Sequence, residues 1–409
     1  MTMMPILFCL SVFCLYYIYD GYLRLLLLAG MFSSMGGRQV GERPDTFLSG
    51  REGSELPSLT VLLTVHNEAG EIAERIANLL DTDYPAEKLQ ILIASDGSED
   101  GTDALVAAMV GERVQFYRSG ARLGKTETQN RAMAQATGEI VVFTDAGTRF
   151  KRDFLSRIAA PFSMPDVGAV NGQLLFLKDL ANCIATSQGY YWNYELRLRQ
   201  LESRLGILAV VSGACVAIRK SLFQSMNPGV GEDCLLPLDV VMQGCRIVHA
   251  HDAIAMDRMD RDSNGEFRAR VRMTLRNWQG TWAYPTLLNP LRHPGYALAL
   301  WSHKILRWLS PFFLLAAVSC ALIGAAAGIL SMQIALGGVI VFGLAAVIGW
   351  IGERRAIRVP GTGTVYSFVL ANAGFFVGVV KAIRGTRITG YGRDGHQEDV
   401  PAIRLAQDQ

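Results

Sequence analysis

Four acidic positions and one lysine sit where this chain can do chemistry. Asp96 follows the apolar run Leu89 to Ala94, inside Ser95-Asp96-Gly97-Ser98-Glu99-Asp100-Gly101-Thr102, and Asp145 follows the apolar run Ile140 to Phe143. Glu232 and Asp233 head a stretch, Asp233 to Gly244, in which Leu236, Val240 and Val241 share one helical face. Lys125 opens another helical stretch after Arg122-Leu123-Gly124. Asp96 can accept hydrogen bonds from a heterocyclic base or a ribose, and Lys125 can balance phosphate charge as a compact cation. Each has a plainer reading too. Asp96 can be a helix cap, Asp145 an ordinary turn residue and Lys125 a solvated helix-start residue. The acids at 232 and 233 can serve a helix dipole, worth up to about 1 kcal/mol when exposed.

The elements that must position these residues favour the chemical readings. Leu59 to Val65 reads as a strand, His66-Asn67-Glu68-Ala69-Gly70 as its loop, and Glu71 to Leu80 as a helix with Ile72, Ile76, Leu79 and Leu80 on one stripe. The strand Leu89 to Ala94 follows, then a helix from Asp103, a strand at Val114 to Tyr117, a helix from Lys125 to about Ala136, and the strand Ile140 to Phe143. Alternation of β and α at this spacing implies a parallel sheet with right-handed crossovers. Its strands should be buried on both faces. Asn67, Glu68, Asp96 and Asp145 then meet at the carboxyl edge, where open α/β sheets bind ligands. A further strand, Val210 to Ile218, is expected before Glu232.

The loops T-V-H-N-E-A-G, A-S-D-G-S-E-D-G-T, R-L-G-K-T-E-T-Q-N and F-T-D-A-G-T, in that order, resemble the nucleotide-sugar half of the family-two glycosyltransferases. V-S-G-A-C-V-A-I-R-K and G-E-D-C-L-L-P-L resemble the acceptor half, and S-H-K-I-L-R-W-L-S-P-F the membrane junction of the integral-membrane, polysaccharide synthase-like members. The likeness runs from about Pro57 to Pro311. It implies a GT-A fold, Rossmann-like with a mostly parallel sheet, and an inverting transfer from a nucleotide sugar, UDP-linked by expectation.

On this resemblance Asn67, Glu68, Asp96, Lys125 and Asp145 bind the donor. Asp145 matches the first carboxylate of the family's D-x-D motif, which implies a divalent cation, Mg or Mn, as cofactor, because hard oxygen ligands suit those ions and the ion stabilises a leaving diphosphate. The second aspartate position is Gly147 here, which leaves the second metal ligand open; His249 and His251, two apart on an expected strand, are one alternative. Asp233 is the implied general base, with Glu232 beside it. Arg276 and Trp278 fall in the acceptor and diphosphate region, where processive synthases carry Q-x-x-R-W. That motif is not matched, but a cation for diphosphate and an indole for sugar stacking remain.

Half of the 409 residues are apolar, too many for an ordinary soluble enzyme of this length. A formal net charge of +2 with no long basic run argues against nucleic acid as a partner. Seven cysteines without a C-x-x-C pair read as reduced and packed. Residues 1–35 are expected to form an uncleaved transmembrane anchor, with Leu7 to Leu28 as its apolar stretch, followed by a linker over 36–56 and the GT-A domain over 57–290. Arg38, Arg43 and Arg51 place that flank in the cytoplasm. An interfacial helix is expected over 291–308, with Leu298, Trp301, Ile305 and Trp308 on one face and Lys304 and Arg307 on the other. Transmembrane helices over 309–385, including Leu309 to Leu330 and Met332 to Ile351, precede a tail over 386–409. Val365 to Val380 is only about 24 Å long as a helix, short for a crossing. The whole reads as a multi-pass inner-membrane enzyme with a cytosolic catalytic domain and a lipid-linked or growing polysaccharide acceptor. The alternative is a catalytically degenerate GT-A subunit that binds nucleotide sugar and acts in assembly or regulation.

Overall fold

The computed structural model describes residues 3–35, 56–177, 183–258, 263–355, 357, 359–388 and 399–400. Most of the expected 36–56 linker and of the 386–409 tail therefore lies outside the described residues.

An eight-stranded sheet organises the chain. Its strands are β1 (Leu59–Val65), β2 (Leu89–Ser95), β3 (Val114–Arg118), β4 (Ile140–Thr144), β5 (Arg149–Phe150), β6 (Val167–Leu177), β7 (Val216–Arg219) and β8 (Arg246–Arg258). The spatial order is β3-β2-β1-β4-β7-β6-β8-β5. β1 pairs in parallel with β2 and β4, and β2 with β3. β7 runs antiparallel to both β4 and β6, while β6 and β8 pair in parallel. Every residue of β1, β2 and β4 is buried, as expected of strands covered by helices on both faces. Val65 is level with Ser95, and Leu63 with Thr144. The loops that carry Asn67, Asp96 and Asp145 consequently leave the sheet side by side.

The expected strand Val210 to Ile218 is shorter than the sequence suggests. A 3-10 turn, Gly213–Cys215, takes its middle, and β7 begins only at Val216. At this turn the backbone passes close to Glu232: a Cβ on Gly213 would lie 2.6 Å from Glu232 Oε1, so only glycine fits there.

Among the described residues, four helices are long and apolar enough to cross a membrane: Met3–Phe32, Pro294–Ala326, Leu330–Arg354 and Thr362–Ile383. The last is 22 residues long, so the expected shortfall at Val365 to Val380 does not arise. The separate interfacial helix over 291–308 is also corrected, since Pro294–Ala326 is one continuous helical run with a π-helical segment at Leu300–Ile305. Lys304 and Arg307 do not face solvent but are buried. Their surroundings explain this. Arg307 Nη1 donates to Glu195 Oε2 at 2.6 Å and to Tyr191 Oη at 3.0 Å, and His303 lies between Glu195 (2.6 Å) and Glu202 (2.8 Å). Tyr22 of the first helix donates to the same Glu202 at 2.9 Å. Burial alone would push the Glu195 carboxyl up, but His303 and Arg307 outweigh it and hold it well below the usual carboxylate range. A buried charge is tolerated only when paired, and here the partners come from the helix Cys183–Arg204.

Tyr191, Trp192 and Tyr194 also serve this packing. Tyr191 lies under the Arg270 and Arg307 guanidinium groups, Trp192 packs edge-on against Phe176, and Tyr194 donates to the Ile18 carbonyl.

Candidate active site

The loop after β2 is held by its neighbours. Asp96, buried, accepts the backbone N–H of Leu123 (2.6 Å) and Gly124 (3.1 Å) and the Thr128 hydroxyl (2.9 Å) on Oδ1, and the Gly124 N–H again on Oδ2 (3.0 Å). Its carboxylate therefore fixes the Arg122-Leu123-Gly124 loop and the start of the helix Lys125–Ala132, and is not an N-cap of its own helix. Asn67 adopts a left-handed backbone (φ 55°) and uses its side-chain carbonyl to accept the Glu99 N–H at 2.8 Å. Asn67 N–H donates to Ser98 Oγ and Glu68 N–H to Thr102 Oγ1. These bonds lock the first two loops together.

Lys125 stands at the centre. Its Nζ lies 2.5 Å from Asp145 Oδ1 and 2.5 Å from Glu232 Oε1. Asp145, at the end of β4, is the most open of the three, with 42% of its side chain exposed, against 5% for Glu232. Glu232 heads the helix Glu232–Met242, and half-buried Asp233 follows it. A Cβ on Gly231 would collide with the Asp233 carboxylate and lie 3.8 Å from Arg276 Nη2, which puts those two charges beside the same backbone. Arg276 also donates to the Gly229 carbonyl (3.3 Å) and to Thr126 Oγ1 (3.2 Å). It is buried and ties the helix Ser263–Trp282 to the residue after Lys125.

Trp278 is placed elsewhere. Its ring lies 5.8 Å from Trp282 and 5.9 Å from Trp308, in an aromatic cluster where the sheet domain meets the apolar helices. His249 does not join the site either: it is buried, Asn171 Nδ2 lies 3.1 Å from its Nδ1, and burial, with the nearby Arg199 and His251, pushes its pKa down to about 3. His249 packs within the sheet, its backbone N–H donating to Ser203 Oγ at 2.8 Å. Among the described residues there is no group of three or more His, Cys, Asp or Glu that could hold a metal ion.

Two residues with no signal in the local sequence complete the site. Arg75 is fully buried beneath it, bonded to Thr144 Oγ1 (2.8 Å) and stacked on Phe150. Burial first, and then the Arg149 charge, lowers its pKa to about 9, while Asp145 and Asp257 act in the opposite sense. Asp257, near the end of β8, accepts a hydrogen bond from the Thr148 hydroxyl at 3.3 Å. Nothing around Asp257 in the sequence marks a site, and only the length of β8 brings it here.

Comparison with known proteins fits this architecture. The model of the family described as "Glycosyl transferase family 2" matches residues 60–226. An N-acetylglucosaminyltransferase of Rhizobium meliloti (strain 1021) is 27% identical over 290 residues, covering 64% of this chain and 61% of that protein. One from Rhizobium leguminosarum bv. trifolii is 31% identical over 130 residues, 30% of this chain and 70% of that protein. The chain spans 61%, 58% and 52% of the length of the first three curated relatives it matches. In fold it is similar to a mannosyltransferase from Pyrobaculum calidifontis, solved in complex with GDP-Man and Mn2+, with a TM-score of 0.66 at 22% identity over 92% of this chain and 99% of that one. The expected GT-A architecture with apolar helices is thus the observed one, and the chain belongs to glycosyl transferase family 2.

Proposed function

We propose that this chain is a membrane-bound inverting glycosyltransferase, working at the cytosolic face of an inner membrane. It moves a sugar from a UDP-linked donor, N-acetylglucosamine by the name its relatives carry, to a hydroxyl of a lipid-linked or growing surface glycan. The observation that carries this reading is Lys125 bridging Asp145 and Glu232 at the carboxyl edge of the sheet, with Asp233 next to Glu232 in the first turn of the same helix. It puts a cation for the diphosphate next to an acid that can take a proton.

The chemistry follows from the positions. Asp96 and the 66–68 loop shape the base and ribose pocket. Asp233 takes the proton of the acceptor hydroxyl as its oxygen attacks the anomeric carbon, and the bond to the diphosphate breaks with the electron pair leaving on the phosphate oxygen. One displacement inverts the anomeric centre. Lys125 and Arg276 balance the charge that develops on the leaving group. Asp145 is the first residue that would hold a divalent cation. The residues present fit one, since a second carboxylate, that of Asp257, lies 3.2 Å from where a Cβ on Gly147 would sit, two residues after Asp145. Bound there, Mg or Mn would neutralise the diphosphate.

The test uses the full chain in lipid nanodiscs with UDP-N-acetylglucosamine, GDP-mannose and other nucleotide sugars. Release of nucleoside diphosphate and mass spectrometry of the lipid-extracted product are followed with and without EDTA. UDP release that stops in EDTA and returns with Mn2+ is expected. No turnover of any donor, with nucleotide binding intact, would favour the non-catalytic subunit instead.

A further inference from the structure

The chain brings an acid from a distant strand into the space beside Gly147. A Cβ on Gly147 would sit 3.2 Å from Asp257 Oδ1 and 3.9 Å from Asp257 Cγ, with no other atom within 4 Å. The Asp257 carboxylate therefore borders the volume a side chain at position 147 would enter, two residues after Asp145. The pairing of β5 with β8 puts it there: Phe150 is level with Ala255 and Arg149 with Met256, so the next residue of β8 arrives beside Thr148. Asp257 is anchored at both oxygens. Oδ2 accepts the Thr148 hydroxyl at 3.3 Å, and Oδ1 accepts the Arg258 N–H at 2.7 Å. Its charge and that of Asp145 act on the same two buried groups, Arg75 and Cys215.

We propose that Asp257 is the second protein carboxylate for the divalent cation, supplied across the sheet by β8 in place of an acid at position 147. The proposal rests on the reading of the site as one for a metal-assisted nucleotide-sugar transfer. Two carboxylates give hard anionic oxygens for Mg or Mn, and diphosphate oxygens and water complete such a shell. Gly147 then has a positive role. With any side chain there, Asp257 would have to move; with a carboxylate there, two like charges would crowd one position.

The experiment measures Mn2+ binding to the purified full chain by electron paramagnetic resonance, with UDP present, apart from any activity. Asp257→Asn should weaken Mn2+ binding by about tenfold or more, as for a lost anionic ligand, and Asp257→Glu should retain most of it. Gly147→Asp alone should not strengthen binding. Gly147→Asp combined with Asp257→Ser should restore binding to within about threefold of wild type, because the carboxylate has only changed its origin. The paired swap also answers the objection that Asp257→Asn merely misfolds. If Asp257→Asn binds Mn2+ like wild type while Asp145→Asn does not, or if Gly147→Asp alone tightens binding, the proposal is overturned and the transferase reading stands. If wild type with UDP holds no Mn2+, the metal-assisted reading itself falls.

Discussion

Lys125 Nζ lies 2.5 Å from Glu232 Oε1, joining the helix that follows β3 to the helix that follows β7. Glu232 is buried, so removing its cation leaves an unpaired charge in the interior. Lys125→Met should lower the unfolding free energy by about 3 kcal/mol. Adding Glu232→Gln should recover part of the loss, because the orphaned charge is then gone. Denaturant titrations of the two single variants and the double variant give the coupling energy directly. Simple additivity would show that the pair carries no linkage.

Asp233 and Asp96 should separate by kinetics. Asp233→Asn keeps shape but removes basicity, so turnover should fall by about a hundred- to ten-thousandfold, with UDP affinity nearly unchanged. Asp96→Asn replaces one acceptor oxygen with a donor facing the Leu123, Gly124 and Thr128 donors. UDP binding should weaken, and amide exchange at Leu123 and Gly124 should quicken. Calorimetric titration and exchange mass spectrometry give both readouts. Near-normal turnover by Asp233→Asn would pass the role of base to Glu232.

His249 predicts a pH dependence. Its pKa is pushed down to about 3 in the fold, against an ordinary value of 6.5. Between those values the unfolded chain binds a proton that the folded one does not, so stability rises with pH there and is lost as pH falls. From pH 7 to pH 5 the loss should be about 2 kcal/mol. His249→Gln, which cannot titrate, should flatten that slope. Melting curves across this range for both proteins make the comparison, and equal slopes would exclude His249 as the source.

The last apolar helix docks through glycine. A Cβ on Gly378 would lie 2.6 Å from Thr274 Cβ, on the helix that carries Arg276. Gly378→Leu should cost about 1 to 3 kcal/mol through overpacking and should lower turnover by displacing that helix. Gly343→Leu is the control, since no atom lies within 4 Å of a Cβ there. Equal effects of the two substitutions would mean that the contact is unimportant.

Local patterns were enough to read β1, β2 and β4, because short, wholly apolar runs between turn residues have few other ways to be buried. The loops carrying Asp96, Asp145 and Lys125 were legible for the same reason: each directly follows such a strand or opens a helix. What failed depends on partners far along the chain. The periodicity of Leu298 to Trp308 put Lys304 and Arg307 on a wet face, yet the acids that pair with His303 and Arg307, Glu195 and Glu202, lie about a hundred residues earlier. Asp257 was invisible because the 13-residue length of β8, and its pairing with the short β5, cannot be read from composition.

The aromatic and aliphatic cluster around Trp308 has a consequence for handling the protein. Leu62, Phe143 and Val216 of the sheet share one core with Leu300, Ile305, Trp308, Phe375 and Val379 of the apolar helices. A boundary near residue 290 therefore divides the sequence but not the thermodynamics. Excising the sheet domain would strip one wall from its core, and the isolated piece should aggregate. Heating the intact chain should instead give one cooperative endotherm, lipid-facing and sheet regions melting together.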